Sequence, residues 1–141
     1  MTKQDNWIIQ TVKELNLPKD YAIFGSGLLD VLGLRAAHDI DIVVTKELFD
    51  LLEKQECWNK FLYDDGCSGL RHEHQDIEVF YESKMSYCSA REIEQKIQNT
   101  ETIEGVKFVN LDDILEWKRA MGREKDKVDV ELIEKYKEVK L

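Results

Sequence analysis

Proline occurs once, at Pro18, cysteine only three times, and apolar runs never extend beyond a few residues. With so little proline and no low-complexity tract, neither a proline-rich linker nor a fibrous repeat is present. Cys57, Cys67 and Cys88 are an odd count at unrelated spacings, so reduced thiols in a cytosolic setting are expected rather than a disulfide framework. The apolar runs fall far below the roughly 20 residues that span a bilayer, and the start "MTKQDNW" is too polar for a signal peptide. The expectation is a cytoplasmic, soluble globular protein with no membrane partner. Histidine is as scarce: Cys67, His72 and His74 in "CSGLRHEH" lack a second pair at zinc-finger spacing and read as loop or strand residues. Basic residues are outnumbered, 20 Lys and Arg against 29 Asp and Glu, for a net charge of −9. Extended nucleic acid is therefore not an expected partner, although a local basic patch remains open.

What is present suffices for one domain, 1–141, with a core over about 20–110 and C-terminal helices over about 111–139. A chain of this length buries roughly 68 to 70% of its unfolded surface. Trp7, Ile8, Thr11, Val12 and Leu15 recur at helical spacing and stop near Pro18. "YAIF" reads as a buried strand, followed through "GSG" by a helix of about ten residues with Ser26 as its cap. "DIDIVV" has the β-branched profile of a central strand, and Thr45 caps the helix "TKELFDLLEKQE". "KFLYDD", the turn "GCSG" and "QDIEVFYE" read as an antiparallel meander, because their connections are too short for a parallel crossover. "AREIEQKIQN" is a helix and "VKFVN" a strand ending at the cap Asn110. The tail divides at Gly122 into two helices, one with Leu111, Ile114, Leu115 and Trp117 as its apolar face, the other with Val128, Leu132 and Ile133. The expected class is α/β (α+β): a mixed, partly antiparallel sheet flanked by helices, with a C-terminal helix pair.

Two acids interrupt the most strand-like segment. Alternation places Asp39 and Asp41 on one face, with Cα atoms roughly 6.5 to 7 Å apart, while Ile40 and Ile42 point the other way. Two carboxylates beside apolar neighbours repel each other and resist desolvation unless a positive charge joins them. A hard divalent ion such as Mg²⁺ prefers carboxylate oxygens and completes its shell with water and substrate phosphates. Glu78 in "DIEVFYE" is a third acid, with Asp76 on the same face as a competing candidate; three acids converge if this strand neighbours "DIDIVV". Gly25, Ser26 and Gly27 form a strand-to-helix turn of the kind that offers backbone N–H groups to a phosphate. The spacing is neither that of a P-loop nor that of a dinucleotide fingerprint.

In this order, "FGSGLLDVLGLRAAHDIDIVV" resembles the nucleotidyltransferase superfamily, the DNA-polymerase-beta-like fold. Its signature is a Gly-[GS] pair followed by D-h-[DE]-h and a later third acid. Gly25 and Ser26 match the pair, Asp39 and Asp41 the acids, and Glu78 the third. The resemblance covers residues 21 to 81 and is closest to the small minimal members among antibiotic-modifying and toxin–antitoxin or abortive-infection proteins. Leu28 and Leu29 stand where toxin-linked members carry Ala and Arg. Lys118, Arg123, Lys125 and Asp126 are similar to the K-x4-R-x-K-D helix pair that such proteins carry.

The resemblance implies a nucleoside triphosphate and two Mg²⁺ ions held by Asp39, Asp41 and Glu78. It implies transfer of a nucleoside monophosphate to a hydroxyl of a small molecule or a protein. Gly25, Ser26 and Gly27 would face the phosphates, joined by Arg35, Lys118 and Arg123; Glu78 would sit beside the acceptor hydroxyl. His38 and Arg119 are further contacts to weigh. An inactive binding partner within a toxin–antitoxin or defence system is the alternative, and acids with a purely structural role are a third reading. The charged "EWKRAMGREKDK" also reads as a solvated helix face, and Trp7, Trp58 and Trp117 as core packing.

Overall fold

The computed structural model describes residues 5–83 and 88–140. The chain starts with α1 (Trp7–Leu15), whose first N–H groups are capped by the Asn6 side chain. Ile8, Ile9 and Val12 form its buried face. Trp7, expected on that face, is instead 41% exposed, and its indole N–H donates to Asp30 at 3.2 Å.

β1 (Tyr21–Phe24) is buried along its whole length. It leads into α2 (Gly27–Val31), which has five residues rather than about ten. The rest of the connection is an irregular loop tied down by Asp30, whose carboxylate accepts from Asn6 Nδ2 and Ala37 N, both at 2.8 Å. The loop delivers the chain to β2 (Ile40–Val44), followed by α3 (Lys46–Glu53) with Thr45 as its cap.

The meander is β3 (Trp58–Leu62), β4 (Ser68–His72) and β5 (Ile77–Phe80). All its pairings are antiparallel, as the short connections require. Ser68 and Gly69, read as turn residues, belong to β4. Trp58 is buried as a packing residue, on a strand.

α4 (Ala90–Gln98) opens on a Ser89–Glu92 capping box. The expected lone strand after it is the second half of a hairpin, β6 (Thr100–Ile103) with β7 (Val106–Val109). Glu104 and Gly105 both have positive φ in the two-residue turn. Such turns favour Asn-Gly or Asp-Gly, so Glu-Gly is a poor sequence signal for one.

Among the described residues the sheet runs β3-β4-β5-β2-β1-β7-β6. β2·β5 and β1·β7 are parallel and the remaining pairs antiparallel. The sheet is thus mixed, helix-flanked and centred on β2, with β5 and β1 beside it. The pair α5 (Leu111–Met121) and α6 (Glu124–Lys140) closes the fold, split at Gly122, which caps α5 with φ 62. The inward side of α6 is Asp126, Asp129 and Ile133, whereas Val128, expected inside, is 57% exposed. Cys57, Cys67 and Cys88 form no disulfide with one another. No helix among the described residues is long and apolar enough to cross a membrane.

Candidate active site

The parallel pairing of β2 with β5 places Asp41 directly opposite Glu78. Paired residues share a face, so two carboxylates from different strands point into the same space, while Asp39, expected on the strand, lies in the exposed bend just before β2 and borders the same space. All three border a cleft of about 280 Å³ that is backed by Phe24, Phe80 and Trp117. An adjoining cleft of about 440 Å³ shares Asp39 and Asp41 and is bordered by Gly25, Ser26, Arg35 and His38. Asp76 is exposed and borders an adjoining groove that shares Asp39 and Glu78, whereas Glu78 itself lines the cleft with Asp39 and Asp41, where Asp65 and Glu82 also stand.

The turn has distinct jobs for its glycines. Gly25 has φ +70, and a Cβ there would stand 3.3 Å from Asp41 Oδ2. A side chain would be strained and would crowd the carboxylate. Gly27 is not a cleft residue: a Cβ on it would meet Ile23 Cγ2 at 2.6 Å, so it permits close packing of α2 on β1. Ser26 does not cap α2 with its side chain; its Oγ accepts from Arg35 Nη2 at 2.5 Å. At five residues α2 adds little beyond its first turn, and the backbone N–H groups of the turn are what remains for an anion.

Asp41 is the electrostatic anomaly. Burial pushes its carboxyl up to about 7, the charges of Asp39 and Glu78 add to the rise, and Lys118 and Lys125 oppose it. Neither Asp39 nor Asp41 has a hydrogen bond or ion pair among the described residues. Glu78 is held at both oxygens: Tyr63 Oη donates to Oε1 at 3.0 Å and Arg71 Nη2 to Oε2 at 3.3 Å. Burial, then the charge of Glu78, pushes the Tyr63 phenol up, so it remains a donor. No three His, Cys, Asp or Glu side chains among the described residues already enclose a metal position. The donor chemistry nevertheless fits a hard cation, with oxygen ligands only and an unpaired, desolvated carboxylate among them.

The expected cations are present but occupied. Lys118, which the sequence presents as part of a solvated face, is 3% exposed and donates to Asp129 at 2.8 Å. Arg35 grips the same carboxylate with Nε at 2.6 Å and Nη2 at 2.8 Å. Burial alone would raise Asp129, but the hydrogen bonds from Arg35 and Lys118 outweigh it and hold the carboxyl below its usual range. Arg123 pairs with buried Asp126 at 2.6 Å. Arg119 lies outside the clefts and pairs with Glu134. Trp117, read as packing, packs edge-on to Phe24 with centroids 4.6 Å apart and also borders both clefts. Its indole N–H is buried without an acceptor among the described residues.

Sequence reasoning missed Tyr63, Arg71 and Asp129. Asp126, Asp129 and Ile133 follow the spacing of a buried helical face, so the period was available to mark Asp129; its acidity pointed the other way. Tyr63 and Arg71 had no local signal, since Arg71 reaches Glu78 through the pairing of β4 with β5 and Tyr63 through the turn between β3 and β4. In comparisons with family models, curated proteins and solved structures, nothing matches the chain.

Proposed function

We propose that the chain is a Mg²⁺-dependent nucleotidyltransferase that moves a nucleoside monophosphate from a nucleoside triphosphate to a hydroxyl of a small molecule or protein. The observation that carries this reading is the register pair Asp41–Glu78, which with Asp39 places three acids in a cleft beside the Gly25–Ser26 turn. A protein does not stabilise such a cluster for packing, since the carboxylates repel and Asp41 lacks any partner. Asp39, Asp41 and Glu78 would hold the metal ions, which when bound supply charge neutralisation at the α-phosphate and the leaving pyrophosphate.

The chain's own residues have the complementary tasks. The Gly25–Ser26 turn offers backbone N–H groups to the β and γ phosphates. Arg35, Lys118 and Arg123 border the same cleft and set its local potential while paired to Asp129 and Asp126. Tyr63 and Arg71 fix the Glu78 carboxylate, which orients the acceptor hydroxyl or takes its proton. The new bond joins the acceptor oxygen to the α-phosphorus, the α–β anhydride bond breaks, and pyrophosphate leaves.

Incubation with each α-labelled triphosphate, Mg²⁺ and candidate small-molecule and protein acceptors tests the reading. Label is expected on an acceptor, and none with Asp41→Asn. Label that stays on free nucleotide in every combination sinks it.

The internal pairing of Arg35, Lys118 and Arg123 favours one competing reading, a catalytically silent nucleotidyltransferase-fold partner in a toxin–antitoxin or defence system. That reading predicts no heat on titrating ATP, CTP, GTP or UTP with Mg²⁺.

A further inference from the structure

We propose that Lys125 is the side chain that meets the incoming triphosphate, in place of the cations the sequence nominates. The inference rests on the nucleotidyl-transfer reading and assigns a binding residue within it. It follows from which cations of the cleft are already paired. A guanidinium has five N–H groups. Arg35 commits Nε and Nη2 to Asp129, a second Nη2 hydrogen to Ser26 Oγ, and Nη1 to Ala36 O at 2.9 Å, leaving one. Lys118 is enclosed, with its ammonium on Asp129. Arg123 is committed to Asp126 through Nε and Nη2. Each of these keeps a donor to spare, but each is pinned by its pair, and swinging it onto a phosphate would uncover a carboxylate that is itself 1% exposed.

Lys125 is under no such constraint. It sits in the first turn of α6, is exposed, and makes no hydrogen bond or ion pair among the described residues. It borders both clefts, the one with Gly25 and Ser26 and the one with Glu78. Its charge reaches the reacting centre, since it is one of the two lysines that oppose the rise at Asp41. An ammonium on a flexible stem with three rotatable donors suits a chain of phosphate oxygens better than a fixed fork does.

The competing account is that Lys125 merely offsets the charge of Asp39 and Asp41. Calorimetric titration of the full chain with inorganic tripolyphosphate, and with ATP, at fixed Mg²⁺ separates the two. Lys125→Gln is expected to weaken both ligands by about ten-fold or more, the size of a lost charged hydrogen bond, and Lys125→Arg to stay within about three-fold of wild type. Lys127→Gln is the control: that lysine is exposed, pairs with Glu124 at 3.2 Å, and its loss changes net charge equally. It is expected to bind as wild type. Wild-type affinity in Lys125→Gln overturns the assignment and leaves the nucleotide reading standing, as does an equal loss in Lys127→Gln. A wild-type chain that binds neither ligand overturns both. Melting curves of each variant check that folding is unaffected.

Discussion

Asp41 and Asp129 are the same residue type beside the same lysine, and the fold moves their carboxyls in opposite directions. Asp41 is pushed up to about 7 by burial and by its acidic neighbours, whereas the Asp129 carboxyl is held down by Arg35 and Lys118 against the effect of burial. Their contributions to stability therefore have opposite signs with pH. Between the ordinary value of 3.8 and about 7, native Asp41 binds more protons than the unfolded chain does, so its contribution is lost as pH rises through that window. Asp129 contributes above 3.8 and loses its contribution as pH falls below it. Asp41→Asn should accordingly raise the melting temperature at pH 8 and change it little at pH 4. The gain at pH 8 is at most a few kcal/mol, because one pKa unit is about 1.4 kcal/mol. Unfolding curves of both proteins at the two pH values check this; equal stability at pH 8 would mean that Asp41 is not strained. The same substitution should abolish transfer, the usual exchange of stability for a working site.

At the scale of elements, α6 is attached through acids. Asp126 and Asp129 take the inner positions beside Ile133, and the Arg35–Asp129–Lys118 cluster ties the loop before β2 to both C-terminal helices. Removing one partner from a buried ion cluster leaves the others uncompensated, so Asp129→Asn should lose roughly 3 to 5 kcal/mol. Glu134→Gln, which breaks the exposed pair with Arg119, should lose less than about 1 kcal/mol. Urea midpoints at unchanged m-value distinguish the two. This cluster also marks where the sequence stopped being readable. Alternation within "DIDIVV" was enough to orient Asp41, because side-chain direction in a strand is local, whereas Asp39 stands in the bend before β2 and borders the cleft without being a strand residue. The likelihood that Glu78 would join them hung on which strand lay next to β2, and that is a fact of topology which no spacing contains. The Arg35–Asp129 pair spans 94 positions, and α6 looked polar because its inner face carries acids. The short α2 and the β6–β7 hairpin escaped for a smaller reason: leucines continued past the helix end, and Glu-Gly is not a turn signature.

Across the whole molecule, the charge of −9 means that any divalent ion relieves some repulsion, so a rise in melting temperature with Mg²⁺ does not by itself identify a site. The titration of Asp41 makes the response specific. A proton and a cation compete for that carboxylate, which is mostly ionised at pH 8 and mostly protonated at pH 5.5, given a value of about 7. General relief of repulsion follows net charge and survives the loss of a single acid. Site binding should be large at pH 8, small at pH 5.5, and absent at both in Asp41→Asn. At Mg²⁺ concentrations ten times the dissociation constant, linkage gives about 1.4 kcal/mol, a shift of a few degrees for a chain of this size. Melting wild type and Asp41→Asn with and without Mg²⁺ at the two pH values therefore yields one decisive quantity, the difference in Mg²⁺ response between the two proteins at pH 8. If that difference is zero, the three acids do not hold a metal, and nucleotidyl transfer loses its physical basis here.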